Sequence, residues 1–317
     1  MRIRRAFILV LAAVVLAGCA TMRAAETANR DRVVVIAGAS SGFGRGVALR
    51  LAEQGAHLVL AARRIELLEE LARECEQRGA QALAVRIDVS REPEVASLSR
   101  GAVERFGRID VWINMAGVSA AGRFEDVPLE DHLRVVEVNL NGVLHGSHHA
   151  MRRFREQGYG TLINMASLTG RISLPYYASY SASKHAVVGL GTALNQELRL
   201  SGERAIHVST ILPYAADTPF WQHSANYSGH ELDMVLKDPP EKIVDAVVRA
   251  TVAPKPEVPV GYKAKAFAAS HRLLRRATEN IAGSVTHDAL TDEAPAAATR
   301  GNLYEPVREG TGVRGDR

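Results

Sequence analysis

The chain has 317 residues, and 47% of them are hydrophobic, which allows one domain of about 250 residues with a large core and short end segments. Three of the charges in its formal net charge of +4 come from Arg2, Arg4 and Arg5. The sequence has no stripe of basic residues with interleaved aromatics, so it does not indicate nucleic-acid binding. Two cysteines, Cys19 and Cys75, lie in unlike surroundings and do not indicate a disulfide framework.

The first nineteen residues have the features of an export signal. The three arginines precede an apolar run of 12 residues, 6–17, whereas a bilayer-spanning helix needs about 20. This length fits the apolar part of a signal peptide over residues 1–18. The sequence Leu16-Ala17-Gly18-Cys19 resembles the bacterial lipoprotein box, which implies lipidation of Cys19 and attachment to a membrane surface. A translation start at Met22 is the alternative and would give a cytoplasmic protein.

Strands and helices are predicted to alternate after a polar tether over residues 19–31. The predicted strands cover residues 32–37, 57–61, 83–87, 109–113, 161–165, 206–212 and 257–261. The predicted helices cover residues 43–54, 65–78, 92–106, 129–157, 177–200 and 241–252. This alternation predicts an α/β fold, with one Rossmann-like domain over residues 32–262 in which a doubly wound parallel sheet lies between two helical layers. Ligands of such sheets bind at the carboxyl ends of the strands.

Two further segments follow this domain. Residues 263–285 are predicted to form a basic amphipathic helix that caps the domain edge, with membrane-surface contact as the alternative. Residues 286–317 are rich in Ala, Gly, Pro and charged residues, which predicts a disordered tail.

A glycine-rich turn follows the first predicted strand. Its sequence, Gly38-Ala39-Ser40-Ser41-Gly42-Phe43-Gly44, lies between a buried strand and an amphipathic helix. Residues without side chains at this place let a pyrophosphate approach main-chain N–H groups. The Gly-x-x-x-Gly-x-Gly spacing resembles that of the short-chain dehydrogenase/reductase family, and the resemblance extends over residues 32–262. It implies a nicotinamide cofactor and the interconversion of a carbonyl and a secondary alcohol by hydride transfer.

The end of the second predicted strand indicates which nicotinamide cofactor binds. NAD-binding domains usually have an acid there, which accepts hydrogen bonds from the ribose, whereas this chain has Ala62-Arg63-Arg64. A guanidinium can hold a 2′-phosphate by charge-assisted hydrogen bonds. We therefore predict NADP(H) rather than NAD(H), with Arg63 as the main phosphate contact and Ser40 as a second contact to the same phosphate. The alternative is that both arginines are solvated charges at a helix start.

The family resemblance implies further cofactor contacts after three other strands. Asp88 and Val89 would contact the adenine, residues 114–117 resemble the family's Asn-Asn-Ala-Gly motif, and residues 213–218 resemble its nicotinamide-contacting segment. The predicted cofactor-binding residues are Gly38, Ser40, Ser41, Gly42, Phe43, Gly44, Arg63, Asp88, Val89, Asn114, Ala116, Gly117, Tyr180, Lys184, Pro213 and Thr218.

Tyr180 and Lys184 lie four residues apart in a predicted helix, which puts both on one face. A nearby ammonium lowers the pKa of a tyrosine, which is about 10 when unperturbed. Tyr180 is therefore predicted to be the general acid/base that exchanges a proton with the substrate oxygen. Ser167, at the end of a strand, can hold that oxygen by a hydrogen bond. The resemblance adds Asn139 to this catalytic set, as the residue that holds a water near Lys184.

The segment from Tyr214 to Leu236 is predicted to be the substrate lid, with Leu168, Tyr176 and Tyr177 on the opposite side. Its large apolar side chains are Tyr214, Phe220, Trp221, Tyr227, Met234 and Leu236. They favour a hydrophobic carbonyl or alcohol as substrate. The alternative function is a non-catalytic NADP(H)-binding sensor or regulatory protein on the same fold.

Two further expectations concern metal and assembly. The histidines at positions 145, 148 and 149 have no third-ligand pattern beside them, so we expect helix packing and no metal. Family members commonly pair their long helices, so the resemblance allows a homodimer or homotetramer.

Overall fold

The computed structural model describes residues 27–234 and 236–315. Its strands are β1 (Val33–Ala37), β2 (His57–Ala62), β3 (Gln81–Arg86), β4 (Val111–Asn114), β5 (Ala120–Ala121), β6 (Gly160–Met165), β7 (Ile206–Leu212), β8 (Ala225–Asn226) and β9 (Glu257–Pro259). Seven of them form a parallel sheet in the order β3-β2-β1-β4-β6-β7-β9. The strand order reverses between β1 and β4, which places the ligand crevice of the fold at the carboxyl ends of these two strands.

Helices cover both faces of this sheet. They are α1 (Gly42–Glu53), α2 (Ile65–Gln77), α3 (Glu92–Phe106), α4 (Leu129–Val136), α5 (Gly142–Gln157), α6 (Ala178–Ser201), α7 (Phe220–His223), α8 (Pro240–Val252), α9 (Gly261–Leu273) and α10 (Arg275–Thr291). Helices α1, α2 and α8 share one buried apolar cluster with the sheet, and α3 to α6 share another on the opposite face. Because both faces are covered, all five residues of β1 are buried and apolar. The predicted three-layer, Rossmann-like single domain is confirmed.

Two predicted helices are interrupted. The helix predicted over residues 129–157 contains a π-helical stretch, Glu137–Asn141, between α4 and α5, and such stretches often occur at functional sites. The single helix predicted over residues 263–285 is instead a hairpin of α9 and α10, broken at Leu274, whose φ of −134° is not helical.

The beginning of the domain differs from the prediction. The predicted signal over residues 1–18 and Cys19 lie outside the described residues. Residues 27–31, predicted as part of a tether, are attached to the domain through Asn29, which is fully buried, while the other four residues are exposed. Its amide donates to Gln54 (2.7 Å), and its carbonyl oxygen accepts from Thr251 (2.8 Å). In the ranges 27–234 and 236–315, no helix has the length and apolarity needed to cross a membrane.

The tail predicted to be disordered follows the domain surface in the structure. The helix α10 continues to Thr291, and Asn226–Thr299 and His230–Pro295 then form antiparallel bridges. Leu303 is fully buried in the apolar cluster that contains α3 to α6. The prediction of disorder was wrong. The composition of residues 286–317 indicates only that this segment would not fold by itself, whereas the domain supplies its hydrogen-bond partners and an apolar contact.

Candidate active site

A cleft with a cavity volume of about 300 Å³ lies at the carboxyl ends of the central strands. The glycine-rich turn, Asp88, Val89, Ala116 and Gly117 line it, and so do Pro213 and Thr218. Ser167, Tyr180 and Lys184 line the same cleft. The structure therefore brings most of the predicted cofactor-binding residues together with three of the four predicted catalytic residues.

The glycine-rich turn needs glycine at two positions for steric reasons. Gly38 has a φ of +105°, and a Cβ there would lie 2.4 Å from the backbone nitrogen of Ala116. A Cβ on Gly44 would lie 2.0 Å from the carbonyl oxygen of Gly38. The turn thus fits tightly against the segment after β4, and it presents backbone rather than side chains at the start of α1.

The two arginines after β2 have different partners. Arg64 donates to the hydroxyl of Ser40 (3.1 Å) and to that of Ser41 (2.8 Å). Arg63 instead donates to the carbonyl oxygens of residues 302, 303 and 304, at 2.6, 3.3 and 2.8 Å. Burial lowers the pKa of both guanidinium groups below the ordinary arginine value. Both arginines line the cleft, and the guanidinium beside Ser40 is that of Arg64, whereas that of Arg63, predicted as the main phosphate contact, bonds to the carbonyl oxygens of residues 302–304.

Asp88 lines the cleft with its carboxylate already engaged. It accepts hydrogen bonds from the backbone and hydroxyl of Ser90 (3.0 and 2.7 Å) and from Arg134 (2.6 Å). Burial raises the pKa of Asp88, but these hydrogen bonds outweigh it and hold the pKa below its ordinary value. An ionised Asp88 thus fixes Arg134, and through it the wall of the cleft.

Asn114 does not line the cleft, contrary to the prediction. Its amide nitrogen donates to Asn164 (2.8 Å), and its oxygen accepts from the indole of Trp112 (2.8 Å). Asn114 is 4% exposed, so it is a buried brace between β4, β6 and α5. The motif match identified the position correctly but not the direction of its side chain.

Asn139 lies beneath the cleft, within the π-helical stretch. Its amide holds the backbone of Val118 from both sides, at 2.8 Å to the nitrogen and 2.9 Å to the oxygen, and donates to Ser183 (3.1 Å). It is fully buried and does not line the cleft. Asn139 therefore joins the segment after β4 to α6, the helix that carries Tyr180 and Lys184.

Burial dominates the acidity of Tyr180. It raises the pKa of the phenol to about 12, and a hydrogen bond with Ser167 acts in the opposite direction. The predicted lowering of this pKa by Lys184 is not found. The Lys184 ammonium lies 5.5 Å from the centroid of the Tyr180 ring, and burial lowers its own pKa to about 8. Tyr180 therefore carries its proton at neutral pH.

Lys184 is almost completely buried in the floor of the cleft, at 2% exposure. Its ammonium donates to the carbonyl oxygen of Met165 at 2.9 Å. An ammonium has three N–H donors, so the bond to Met165 leaves two for a bound molecule. Ser167, which follows Met165 at the end of β6, is in turn held by the backbone N–H of Thr169 (3.2 Å).

Apolar side chains from four segments form one end of the cleft, which we call the substrate chamber. These residues are Leu168, Ile172, Leu174, Tyr177, Tyr214, Phe220, Trp221, Met234, Phe267, Ala282 and Val285. Leu168 and Tyr177 line it as predicted, and so do four residues of the predicted lid. Tyr227, which bonds to Asp131, and Leu236, which is 70% exposed, do not line it, nor does Tyr176.

Sequence reasoning missed the contribution of the hairpin α9–α10. Phe267, Ala282 and Val285 line the chamber, and Phe267 stacks on Tyr214 at a centroid distance of 6.1 Å. The apolar face of the predicted C-terminal helix was the available signal, but it does not show which surface the face covers. Ile172 and Leu174 gave no signal beyond their hydrophobicity.

The histidines considered for metal binding have other partners. His145 contacts the carbonyl oxygen of Val89 (3.0 Å), and His149 contacts the carboxylate of Glu92 (2.7 Å). No group of three or more His, Cys, Asp or Glu side chains suited to a metal occurs among the residues that the structure describes.

The fold and this cleft define a class of protein that comparison with known sequences identifies. Residues 32–227, more than half of the chain, match the family model described as short chain dehydrogenase. The chain belongs to this family, as the glycine spacing predicted. It is an oxidoreductase that acts on alcohol or carbonyl groups of small molecules with a nicotinamide cofactor.

Individual relatives agree with this assignment. The chain is 34% identical over 272 residues to the "Uncharacterized oxidoreductase YxnA" of Bacillus subtilis, covering 84% of this chain and 76% of the relative. It is 34% identical to the "Diacetyl reductase [(S)-acetoin forming]" of Staphylococcus epidermidis, over 60% of this chain and 74% of that one. Among solved structures, an alcohol dehydrogenase from the archaeon Thermococcus sibiricus complexed with 5-hydroxy-NADP aligns with a TM-score of 0.61 and 29% identity, over 69% and 89% of the two chains.

Proposed function

We propose that this protein is an NADP(H)-dependent oxidoreductase that interconverts a hydrophobic ketone or aldehyde and its alcohol, with Tyr180 as general acid/base. The observation that carries the proposal is that Tyr180, Ser167 and Lys184 share one cleft with the arginine–serine cluster of Arg64, Ser40 and Ser41.

The residues of the cleft fit a phosphorylated dinucleotide. Within the described ranges, Arg64 has no carboxylate partner and lies against two hydroxyls, a donor set suited to a 2′-phosphate. The start of α1 presents backbone N–H groups to the cleft for a pyrophosphate, although that of Gly42 already donates to the carbonyl oxygen of Gly312. The two spare donors of Lys184 suit ribose hydroxyls. No acid follows β2 to favour NAD. The Thermococcus relative, whose structure contains an NADP derivative, supports the same preference.

The chain's own residues supply the proton and hold the substrate oxygen. The bound cofactor supplies the hydride for reduction and accepts it for oxidation. Tyr180 is protonated at neutral pH, so it can donate its phenolic proton to the carbonyl oxygen during reduction. Ser167 donates a hydrogen bond to the same oxygen as negative charge develops on it. The phenolate left behind must regain a proton before the next turnover, and the Lys184 ammonium, 5.5 Å from the centroid of the ring, places a positive charge near it.

The substrate chamber favours an uncharged apolar substrate. The charged side chains among the described lining of the cleft are Arg63, Arg64, Asp88 and Lys184, all of which belong to the predicted or proposed cofactor-binding and catalytic residues, so none remains to pair with a charged substrate in the chamber. A charged substrate would lose its hydration there without a compensating partner.

A turnover assay tests the proposal. The purified protein is mixed with NADPH or NADH and a panel of aliphatic, aromatic and polycyclic ketones and aldehydes, and absorbance of the reduced cofactor is followed. We expect faster oxidation of NADPH than of NADH, and activity that rises with the apolar surface of the substrate. Binding of NADPH without turnover of any compound would instead favour the sensor function, and turnover of charged sugars alone would contradict the apolar chamber.

We further propose that the protein is a membrane-anchored lipoprotein, from the arginines, apolar run and Leu-Ala-Gly-Cys box of residues 1–19. Labelled palmitate should enter the intact chain and not its Cys19→Ser variant. A Cys19→Ser variant that is equally membrane-bound would contradict the proposal and favour a start at Met22.

A further inference from the structure

The segment that follows α10 crosses the cleft at its cofactor-binding end. We call residues 301–312 the strap. The carbonyl oxygens of its residues 302–304 accept from Arg63, and that of Leu303 also accepts from Arg134 at 2.9 Å. These are charge-assisted hydrogen bonds, of which the one from Arg134 is buried and those from Arg63 are partly buried or exposed. The strap is thus held by two of the strongest donors around the cleft.

Further contacts extend along the strap toward the glycine-rich turn. Arg64 donates to the carbonyl oxygen of Val307 (3.1 Å), and His223 contacts that of Glu309 (2.9 Å). The backbone N–H of Gly42, in the first turn of α1, donates to the carbonyl oxygen of Gly312 (2.8 Å). The first N–H groups of a helix lack intrahelical acceptors, and the strap provides an acceptor for one of them, the N–H of Gly42.

The strap covers the cleft without filling it. Asn302, Pro306 and Val307 line the same cavity as the glycine-rich turn, Asp88 and Val89. The side-chain oxygen of Asn302 is buried and has no hydrogen-bond partner among the described residues. A buried acceptor without a donor is costly, and a hydroxyl or amino group of a ligand in the cleft would supply that donor.

Resting on the proposed NADP(H) function, we propose that the strap is a wall of the cofactor site that retains the bound dinucleotide. Asn302 contacts its adenosine half, and Arg63 and Arg134 are positioning residues that hold the strap closed. A cavity remains beneath the strap, and only two of the proposed cofactor contacts, Arg64 and the N–H of Gly42, bond to strap carbonyl oxygens, so a retaining wall requires these two groups to exchange partners when the cofactor binds. The cofactor then leaves when the strap opens.

A pair of glycine substitutions tests this proposal. A Cβ on Gly310, whose φ is +65°, would lie 2.6 Å from His223 Nε2 and 2.8 Å from Pro219, whereas one on Gly312 would make only ordinary contacts of 3.5 Å or more. Gly310→Ala should therefore displace the strap, and Gly312→Ala is the matched control. NADPH dissociation is measured by stopped-flow fluorescence after mixing with excess NADP⁺. We expect dissociation to be about tenfold faster for Gly310→Ala and unchanged for Gly312→Ala.

Limited proteolysis gives a readout that does not depend on binding rates. Arg308 is exposed within the strap, and mass spectrometry detects tryptic cleavage after it. A retaining wall predicts that NADP⁺ slows this cleavage, and a competing plug predicts that NADP⁺ accelerates it. A variant Asn302→Ala should bind NADPH about tenfold more weakly while its melting temperature stays close to that of the parent.

The outcomes separate the strap from the proposed function. If both glycine variants and the parent have equal NADPH dissociation rates, or if NADP⁺ accelerates tryptic cleavage, the strap proposal is overturned. The oxidoreductase proposal is unaffected by either result. Tighter NADPH binding by Gly310→Ala would also overturn the strap proposal. If the intact protein binds no NADPH, the proposed cofactor preference fails and the strap fails with it.

Discussion

The two ends of the cleft differ in the kind of sequence pattern that specifies them. The cofactor-binding end rests on a contiguous motif, residues 38–44, in which glycine is required because a Cβ at Gly38 or Gly44 would collide with backbone atoms. The substrate chamber is assembled from side chains spread between Leu168 and Val285, which share only their hydrophobicity. A steric constraint on the backbone requires glycine at fixed positions, and this spacing can be recognised in a sequence. An apolar wall can be formed by any apolar segment that packs beside the cleft, so no spacing identifies it.

The largest expected effect lies where the two ends meet. Tyr180→Phe removes the proton donor and should lower kcat by about 10²–10⁴-fold, while NADPH binding changes little. Steady-state rates and NADPH fluorescence titration measure the two quantities. Tyr176→Phe is the matched control, since the Tyr176 hydroxyl bonds to His287 outside the cleft. A Tyr180→Phe enzyme that retains most of its activity would contradict the mechanism.

The next effect belongs to the cofactor-binding end alone. Arg64→Ser removes the guanidinium beside Ser40 and Ser41, so NADPH should bind about 10–100-fold more weakly while NADH affinity changes little. Dissociation constants of the two cofactors are measured by fluorescence. The exposed Arg91, far from this cluster in sequence, provides a control as Arg91→Ser. Equal losses for NADPH and NADH would show that Arg64 does not contact the 2′-phosphate.

A smaller effect is expected at the other end. Val285→Asp places a carboxylate at the chamber wall. KM for an apolar ketone should rise about tenfold, because the ketone loses an apolar contact and its binding would remove water from the carboxylate. The dissociation constant of NADPH should not change. Val252→Asp is the control because Val252 has the same exposure, 44%, and lies outside the cleft. A rise in KM for both variants would refute a specific role of α10.

The last effect concerns stability rather than catalysis or binding. Burial lowers the pKa of Lys184 to about 8 in the folded protein without ligands, while an unfolded lysine has a pKa of about 10.4. Between these values the unfolded chain binds the additional proton, so the free energy of unfolding should rise with pH. Above about pH 10 the raised pKa of Tyr180 acts in the opposite direction.

Urea unfolding at pH 7.5 to 10 measures this slope. Lys184→Met should flatten it, and the exposed Lys265→Met should leave it unchanged. A slope that is identical in Lys184→Met would show that Lys184 does not titrate in this range.

The sequence predicted the layers and all seven strands of the main sheet, because alternating buried strands and amphipathic helices admit few arrangements. The catalytic roles of Tyr180, Lys184 and Ser167 were predicted for the same reason as the glycine-rich turn, because these residues occur at fixed distances along the chain. The sequence could not predict which of Arg63 and Arg64 faces Ser40, because the partners of Arg63 lie about 240 residues further along the chain. Nor could it predict the direction of the Asn114 side chain, which depends on Asn164 and Trp112.

The packing of Asn29 has a geometric consequence for anything joined to the chain ahead of it. Residues 27–32 lie at the amino edge of the sheet, where β1 begins, and the five residues of β1 separate this edge from the cleft by about 16 Å. A lipid, an affinity tag or a solid support fixed upstream of residue 27 is therefore joined at the pole opposite to the mouth of the cleft. The point at which the chain enters the domain therefore does not obstruct the mouth of the cleft.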